Sequence, residues 1–111
     1  MDRRVLLAIA EIESDLARAW DVAQLALLVN LSASRFRHLF KEETGFSINQ
    51  YLRERRLDRA ELLLRTTFLS IKEVALEAGL RSTSHFVHYF KKKYGVTPSA
   101  HRRALAIFDN K

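Results

Sequence analysis

Two short stretches concentrate the side chains that could do chemistry. Ser34, Arg35, Arg37, His38 and Lys41 surround Phe36 and Phe40; Thr83, Ser84, His85, Val87, His88 and Lys91 surround Phe86 and Phe90. At helical spacing each phenylalanine pair falls on one stripe and these neighbours fall off it. Hydrolysis would need a nucleophile, a base and an orienting acid. Ser84, His85 and His88 lie together, but no carboxylate partner stands beside them. Metal binding would start from His85 and His88 at i, i+3, yet no third ligand is near and cysteine is absent, so the pair falls short of a ligand set. No glycine-rich phosphate cradle occurs either. Recognition of a polyanion needs only hydrogen-bonding and cationic groups presented on one face, and both stretches supply them. The chain is therefore expected not to be an enzyme and to need no cofactor or metal.

Composition bounds what can carry these stretches. At 111 residues the chain is one compact unit or two very small ones. Hydrophobic residues make up 48%, whereas Gly and Pro number only 3 and 1, which points to an all-α fold. Without cysteine there are no disulfides, which fits a reducing cytoplasm. Residues 1–4 lead into only a short apolar stretch before Glu11 and Glu13, so neither a signal peptide nor a membrane span is expected. The formal net charge of +6 is unevenly placed: residues 1–55 carry 8 basic and 8 acidic side chains, residues 56–111 carry 11 and 5. A basic surface suits nucleic acid, because neutralising phosphates releases counterions; a soluble basic domain without such a partner has the same charge.

Apolar spacing predicts about seven helices. Val5, Ile9, Ile12 and Leu16 form a stripe over 5–18, and Trp20 is expected to anchor in the core. Asp21 caps a second helix with Val22, Leu25, Ala26 and Val29 inward. Ser32 caps a third, with Phe36, Leu39 and Phe40 inward and Gly45 closing it in the left-handed conformation. Ser47 caps a long helix to Leu64, burying Ile48, Tyr51, Leu52, Leu57, Ala60, Leu63 and Leu64. Ser70 caps a fifth, with Ile71, Val74, Ala75 and Ala78 inside, and 79–81 turn. Ser82 or Thr83 starts a sixth, with Phe86, Phe90 and Tyr94 inside and Gly95 closing it. Thr97 and Pro98 open a seventh, and residues 109–111 are expected to fray. Arg55, Arg56 and Arg59 interleave with Glu54, Asp58 and Glu61, as ion pairs within the long helix would.

The pattern repeats. Leu25-Ala26 and Leu31 match Val74-Ala75 and Leu80 at an offset of 49; Phe36, Phe40, Lys41, Gly45 and Ser47 match Phe86, Phe90, Lys91, Gly95 and Thr97 at 50. The second turn thus carries one extra residue. Each copy, 22–53 and 71–103, has the layout of a helix-turn-helix. Two copies are too few for a helical solenoid.

On these residues the chain resembles the DNA-binding domain of the AraC/XylS family of transcription regulators. The matching text is 22–46, then Tyr51-Leu52, Arg56-Leu57, Ala60 and Leu63-Leu64, then 69–75 with Ala78-Gly79-Leu80, and finally Phe86, Phe90-Lys91-Lys92, 94–99 and Arg102. It covers residues 5–105. Asn30 departs from the family's usual glycine, though asparagine tolerates the left-handed region. His38 and His88 stand where arginine is frequent, and His101 replaces an aromatic; the first two bear on base preference, not on fold.

The resemblance implies two helix-turn-helix subdomains, 1–46 and 66–108, joined by a linker helix at 47–65. It implies sequence-specific binding of double-stranded DNA, with base-reading positions falling on Ser34, Arg37 and His38, then on Thr83, Ser84 and His88. Arg37 is the strongest of these, because a guanidinium pairs bidentately with guanine; its bland alternative is a phosphate contact or a solvated surface residue. Lys41, Arg53, Lys91 and Lys92 are candidates for phosphate contacts. An 18-residue linker would be roughly 27 Å long, against about 34 Å between successive groove faces on one side of DNA, so a rigid linker would require a bent duplex or one partly engaged unit. By resemblance the partners are DNA, RNA polymerase where the outcome is activation, and a separate effector or dimerisation domain on the N-terminal side. The chain would be either a stand-alone regulator or the C-terminal half of a longer one. The competing class is a helical protein-interaction module without specific DNA binding.

Overall fold

The computed structural model describes residues 1–109, with side chains as far as Ala106. Every element among them is an α-helix: α1 (Arg3–Ser14), α2 (Val22–Leu28), α3 (Ala33–Thr44), α4 (Ile48–Thr66), α5 (Ile71–Ala78), α6 (Thr83–Tyr94) and α7 (Pro98–Asp109). The chain divides into two compact units, Met1–Glu54 and Arg55–Lys111, so the division falls inside α4.

In the first unit, Asp2 opens α1 by accepting from the Arg4 amide at 2.8 Å. The helix stops at Ser14, four residues before the end of the expected stripe, and Leu16 reaches the core from the loop beyond it. Trp20 packs against the first core as expected, but from its rim. It is half-buried at the core's edge, its Nε1 donates to the Asp15 carbonyl (2.8 Å), and the Arg18 guanidinium lies 4.7 Å over its ring. The ring's apolar body packs on the core while its N–H meets a carbonyl just past the end of α1, the arrangement an amphipathic indole favours. The centre of the unit is instead the fully buried Phe36 and Phe40, packed with Val5, Ala8, Ile12, Leu25, Ala26, Ile48 and Leu52. Tyr51 meets Phe40 edge-on at 5.4 Å. Asp21 and Ser32 cap α2 and α3, and between them Asn30 takes φ 59, as the turn requires of its missing glycine.

The second unit repeats this plan with polar substitutions. Val74, Ala75 and Ala78 of α5, Phe86 and Phe90 of α6, and Leu57, Ala60 and Leu64 of α4 form its core. Ser70 and Glu73 make a reciprocal capping box, and Ser82, not Thr83, caps α6. The turn bonds correspond: Leu31 N donates to Ala26 O (2.9 Å), and Leu80 N to Ala75 O (2.8 Å). Arg81 is the extra residue, sitting between that bond and the Ser82 cap.

The duplication extends beyond 22–53 and 71–103. Val5, Ala8 and Ile12 of α1 occupy in the first core the place of Leu57, Ala60 and Leu64 in the second. Inside those stretches, Ile48 and Leu52, early in α4, correspond to Pro98 and Arg102 in α7. Thus α4 closes the first unit with one end and opens the second with the other. Arg102 donates to the carbonyls of Leu64 (3.2 Å), Thr67 (3.2 Å) and Leu69, satisfying acceptors that the end of α4 and the following loop would otherwise leave open.

The acids of α4 are used differently from the expected intrahelical pairing. Arg55 does reach Asp58 at 3.4 Å, but Asp58 Oδ1 also accepts from Lys93 (2.6 Å) and the Tyr94 hydroxyl (2.8 Å) of α6. Glu61 pairs with Arg65 (2.8 Å) and with His101 of α7 (3.0 Å). Burial alone would raise the pKa of both acids; the donors outweigh it, and both lie below the ordinary carboxylate value. These carboxylates pin α6 and α7 to α4. At the other end of the chain, α7 runs to Asp109, one residue into the tail expected to fray; Asn110 and Lys111 lie outside the described residues.

Candidate nucleic-acid interface

In each unit the second helix of the helix-turn-helix buries its phenylalanines and turns its polar residues out. On α3, Ser34, Arg37, His38 and Lys41 are all exposed, and together with Glu42 they line one open groove. Helical geometry explains the gathering: positions 34, 37, 38 and 41 lie at i, i+3, i+4 and i+7, and 42 at i+8. The buried Phe36 and Phe40 fix the opposite face, so the helix cannot roll without exposing them.

On α6, Thr83, Ser84, His88, Lys91 and Lys92 are exposed as well. His88 rests edge-on against Tyr89 at 5.0 Å. Three consecutive lysines occupy the last turn, where cations suit the helix dipole. Lys93 is drawn away to Asp58, which leaves Lys91 and Lys92 on the exposed side. Arg53 is the least accessible of the expected phosphate contacts: it is half-buried on α4 and its Nε is shielded from solvent. Near α6, burial lowers the Arg56 pKa, and the positive charge of Arg81 lowers it further.

Two features of these faces are absent from the expected site. Glu42 shares the α3 groove, with its Oε2 3.6 Å from His38 Nε2; its spacing of i+4 from His38 was the available signal. Glu43 beside it turns to α1 and accepts from the Asp2 amide at 2.7 Å. His85, exposed, joins no cluster of three metal-ligating side chains among the described residues. No helix among them is long and apolar enough to cross a membrane.

Comparison with known proteins identifies the architecture. Residues 25–104 match a family model described as a helix-turn-helix domain. The chain is 38% identical over 103 residues to the arabinose operon regulatory protein of Escherichia coli K12, covering 92% of this chain and 35% of that protein. It is 32% identical over 106 residues to an uncharacterized HTH-type transcriptional regulator of Haemophilus influenzae, covering 96% of this chain and 36% of that protein. The chain thus spans about a third of the length of these relatives. Among solved structures, the DNA-binding domain of AdpA in complex with a target DNA superposes with a TM-score of 0.86 at 30% identity, covering 93% of each chain. An AraC-type transcriptional regulator from Chromobacterium violaceum gives 0.83 at 28%, covering 93% of this chain and 92% of that one. With a duplicated helix-turn-helix, an exposed polar face on α3 and on α6, and these relatives, the chain belongs to the AraC-type helix-turn-helix family of transcription-regulator DNA-binding domains.

Proposed function

We propose that the chain is the DNA-reading part of a transcription regulator, with α3 and α6 each entering a major groove. The observation that carries this reading is the paired arrangement of exposed Ser, Thr, Arg, His and Lys residues opposite a buried phenylalanine pair, once in each unit. Ser34, Arg37 and His38 read bases from α3; Thr83, Ser84 and His88 read them from α6. Lys41, Arg53, Lys91 and Lys92 contact phosphate. The functional division follows the segments 1–46, 47–65 and 66–108. The AdpA domain, solved with its target DNA, and the arabinose operon regulator support the reading by likeness. In a longer protein of this kind, an effector or dimerisation domain and RNA polymerase are the remaining partners, and the compartment is the cytoplasm.

The test is selection of duplexes from a random library, followed by titration of the selected duplex at several salt concentrations. Affinity should fall with a log–log slope of about −0.9 for each phosphate neutralised. Arg37→Ala should cost about 1–3 kcal/mol and relax preference at one base position, whereas Lys91→Ala should weaken all sequences alike. A library that yields no preferred sequence, or binding indifferent to both substitutions, would turn the proposal over in favour of a protein-interaction module.

A further inference from the structure

By the offset that relates the phenylalanine pairs, Ser34, Arg37, His38 and Lys41 of α3 answer to Ser84, Val87, His88 and Lys91 of α6. Three of these places keep their residue, and at the other Arg37 gives way to an apolar side chain. The α3 residues line one groove at i, i+3, i+4 and i+7, so by the same geometry the α6 residues share one face. Val87 stands in that face with the exposed Ser84, His88 and Lys91 around it. A single partly exposed valine needs no explanation in general. This one is half-buried, yet among the described residues it belongs neither to the second core nor to the apolar side chains packed against that core. Valine also favours a helix less than Ala, Arg or Lys does. Neither core packing nor helix propensity therefore calls for valine at position 87.

We propose that Val87 is a specificity-determining residue of the second unit, reading the C5-methyl group of a thymine through apolar contact. This rests on the reading of α6 as a base-reading helix. In the major groove thymine is the one base of the four that presents a methyl group; the other edges offer hydrogen-bond donors and acceptors. Valine can neither donate nor accept. Set against the polar edge of guanine, adenine or cytosine it would strip water from those groups without replacing the lost hydrogen bonds. Set against a thymine methyl it removes apolar area of both partners from water. The side chain is short, so this contact forms where the helix lies close to the base edges, while the longer Lys91 and Lys92 extend to phosphate. The two units thus use one helix position for opposite readouts. Arg37 offers paired donors to guanine, and Val87 offers an apolar surface to thymine.

The experiment selects duplexes with the wild-type chain and with Val87→Ala. The affinity of both proteins is then measured for the wild-type site with each thymine replaced in turn by uracil, which lacks only the C5-methyl. Position 87 lies outside the core and alanine favours a helix, so the variant keeps the fold. For the wild-type chain, uracil at one position should weaken binding about fourfold, the worth of one methyl-sized apolar group. Val87→Ala should abolish that penalty, leave every other uracil penalty as it was, and lose the thymine preference at the same position in selection. Comparing the two proteins on the two bases isolates the contact from any effect of uracil on the duplex itself. Uracil penalties that are equal in both proteins, or a selected site with no uracil-sensitive thymine, would overturn the proposal while leaving the DNA-reading function standing. So would an alanine variant that binds every duplex more weakly by the same factor. A wild-type chain that selects no sequence would remove both.

Discussion

The two units are built on one plan and held together by different forces. In the first, the helix that closes the core contributes Ile48, Tyr51 and Leu52; in the second, the corresponding positions are Pro98, His101 and Arg102. Tyr51 packs on Phe40 and His101 on Phe90, each edge-on at 5.4 Å, and each reaches a carboxylate on the preceding long helix: Glu13 at 3.3 Å and Glu61 at 3.0 Å. Leu52, however, is a core residue, whereas Arg102 grips three backbone carbonyls. The recognition helices are tied to their long helices with opposite signs. Glu43 accepts from the start of α1, and its counterpart Lys93 donates to Asp58. Across the two units the phenylalanine pair and the turn's backbone bond are kept, while the turn's length and the fastening around it, apolar or ionic, differ.

The largest effect should come from the shared part. Phe36→Ala or Phe86→Ala should each cost about 3–5 kcal/mol by leaving a cavity in a fully buried position. Hydrogen exchange should show the loss of protection concentrated in the unit that carries the change. Protection lost equally throughout would show that the two cores do not behave as separate cooperative regions.

Arg102 sharpens the contrast next. Replacing it with leucine, the residue at the corresponding position of the first unit, should cost about 1–3 kcal/mol in urea denaturation, because carbonyls are left without their donor. A neutral result would mean that the ionic fastening can be exchanged for the apolar one.

Acid should separate the units further. Asp58 and Glu61 have folded-state pKa values below the ordinary carboxylate value. Their stabilisation is therefore complete above about pH 4, the unfolded value, and is lost as pH falls through the depressed folded values. Asp58→Asn with Glu61→Gln should flatten that acid limb as followed by Tyr94 fluorescence or by amide signals of α6 and α7. An unaltered limb would place the acid-sensitive groups elsewhere, with Asp2, held down to about 2 by its bonds to Arg4, the next to examine.

The smallest effects lie at the caps. Ser32→Ala and Ser82→Ala should each cost about 1 kcal/mol, and by similar amounts, because each hydroxyl accepts one amide of its recognition helix at 3.1 and 3.2 Å. A clear inequality would point to a further role for Arg81, the residue that lengthens only the second turn.

Much of this was legible without coordinates. Cap residues, left-handed turn positions and the phenylalanine stripes are local signals: Ser32, Ser70, Gly45, Gly95 and Asn30 act within a few residues of themselves, so the chain alone fixes seven helices and the repeat. The exposure of Ser34, Arg37, His38, Thr83, Ser84 and His88 follows from the same periodicity, since residues off a buried stripe face solvent. What the sequence could not specify was partnership over distance. Asp58 and Glu61 look like intrahelical acids because their arginines are close in sequence, yet Asp58's shortest donor, Lys93, lies 35 residues on, and Glu61 adds His101, 40 residues on, to the Arg65 beside it. That α1 takes the part of the second half of α4, and that Arg102 fastens a loop 33–38 residues earlier in the chain, depends on which surfaces meet after collapse. Hydrophobic burial selects those meetings and carries no label in the residues themselves.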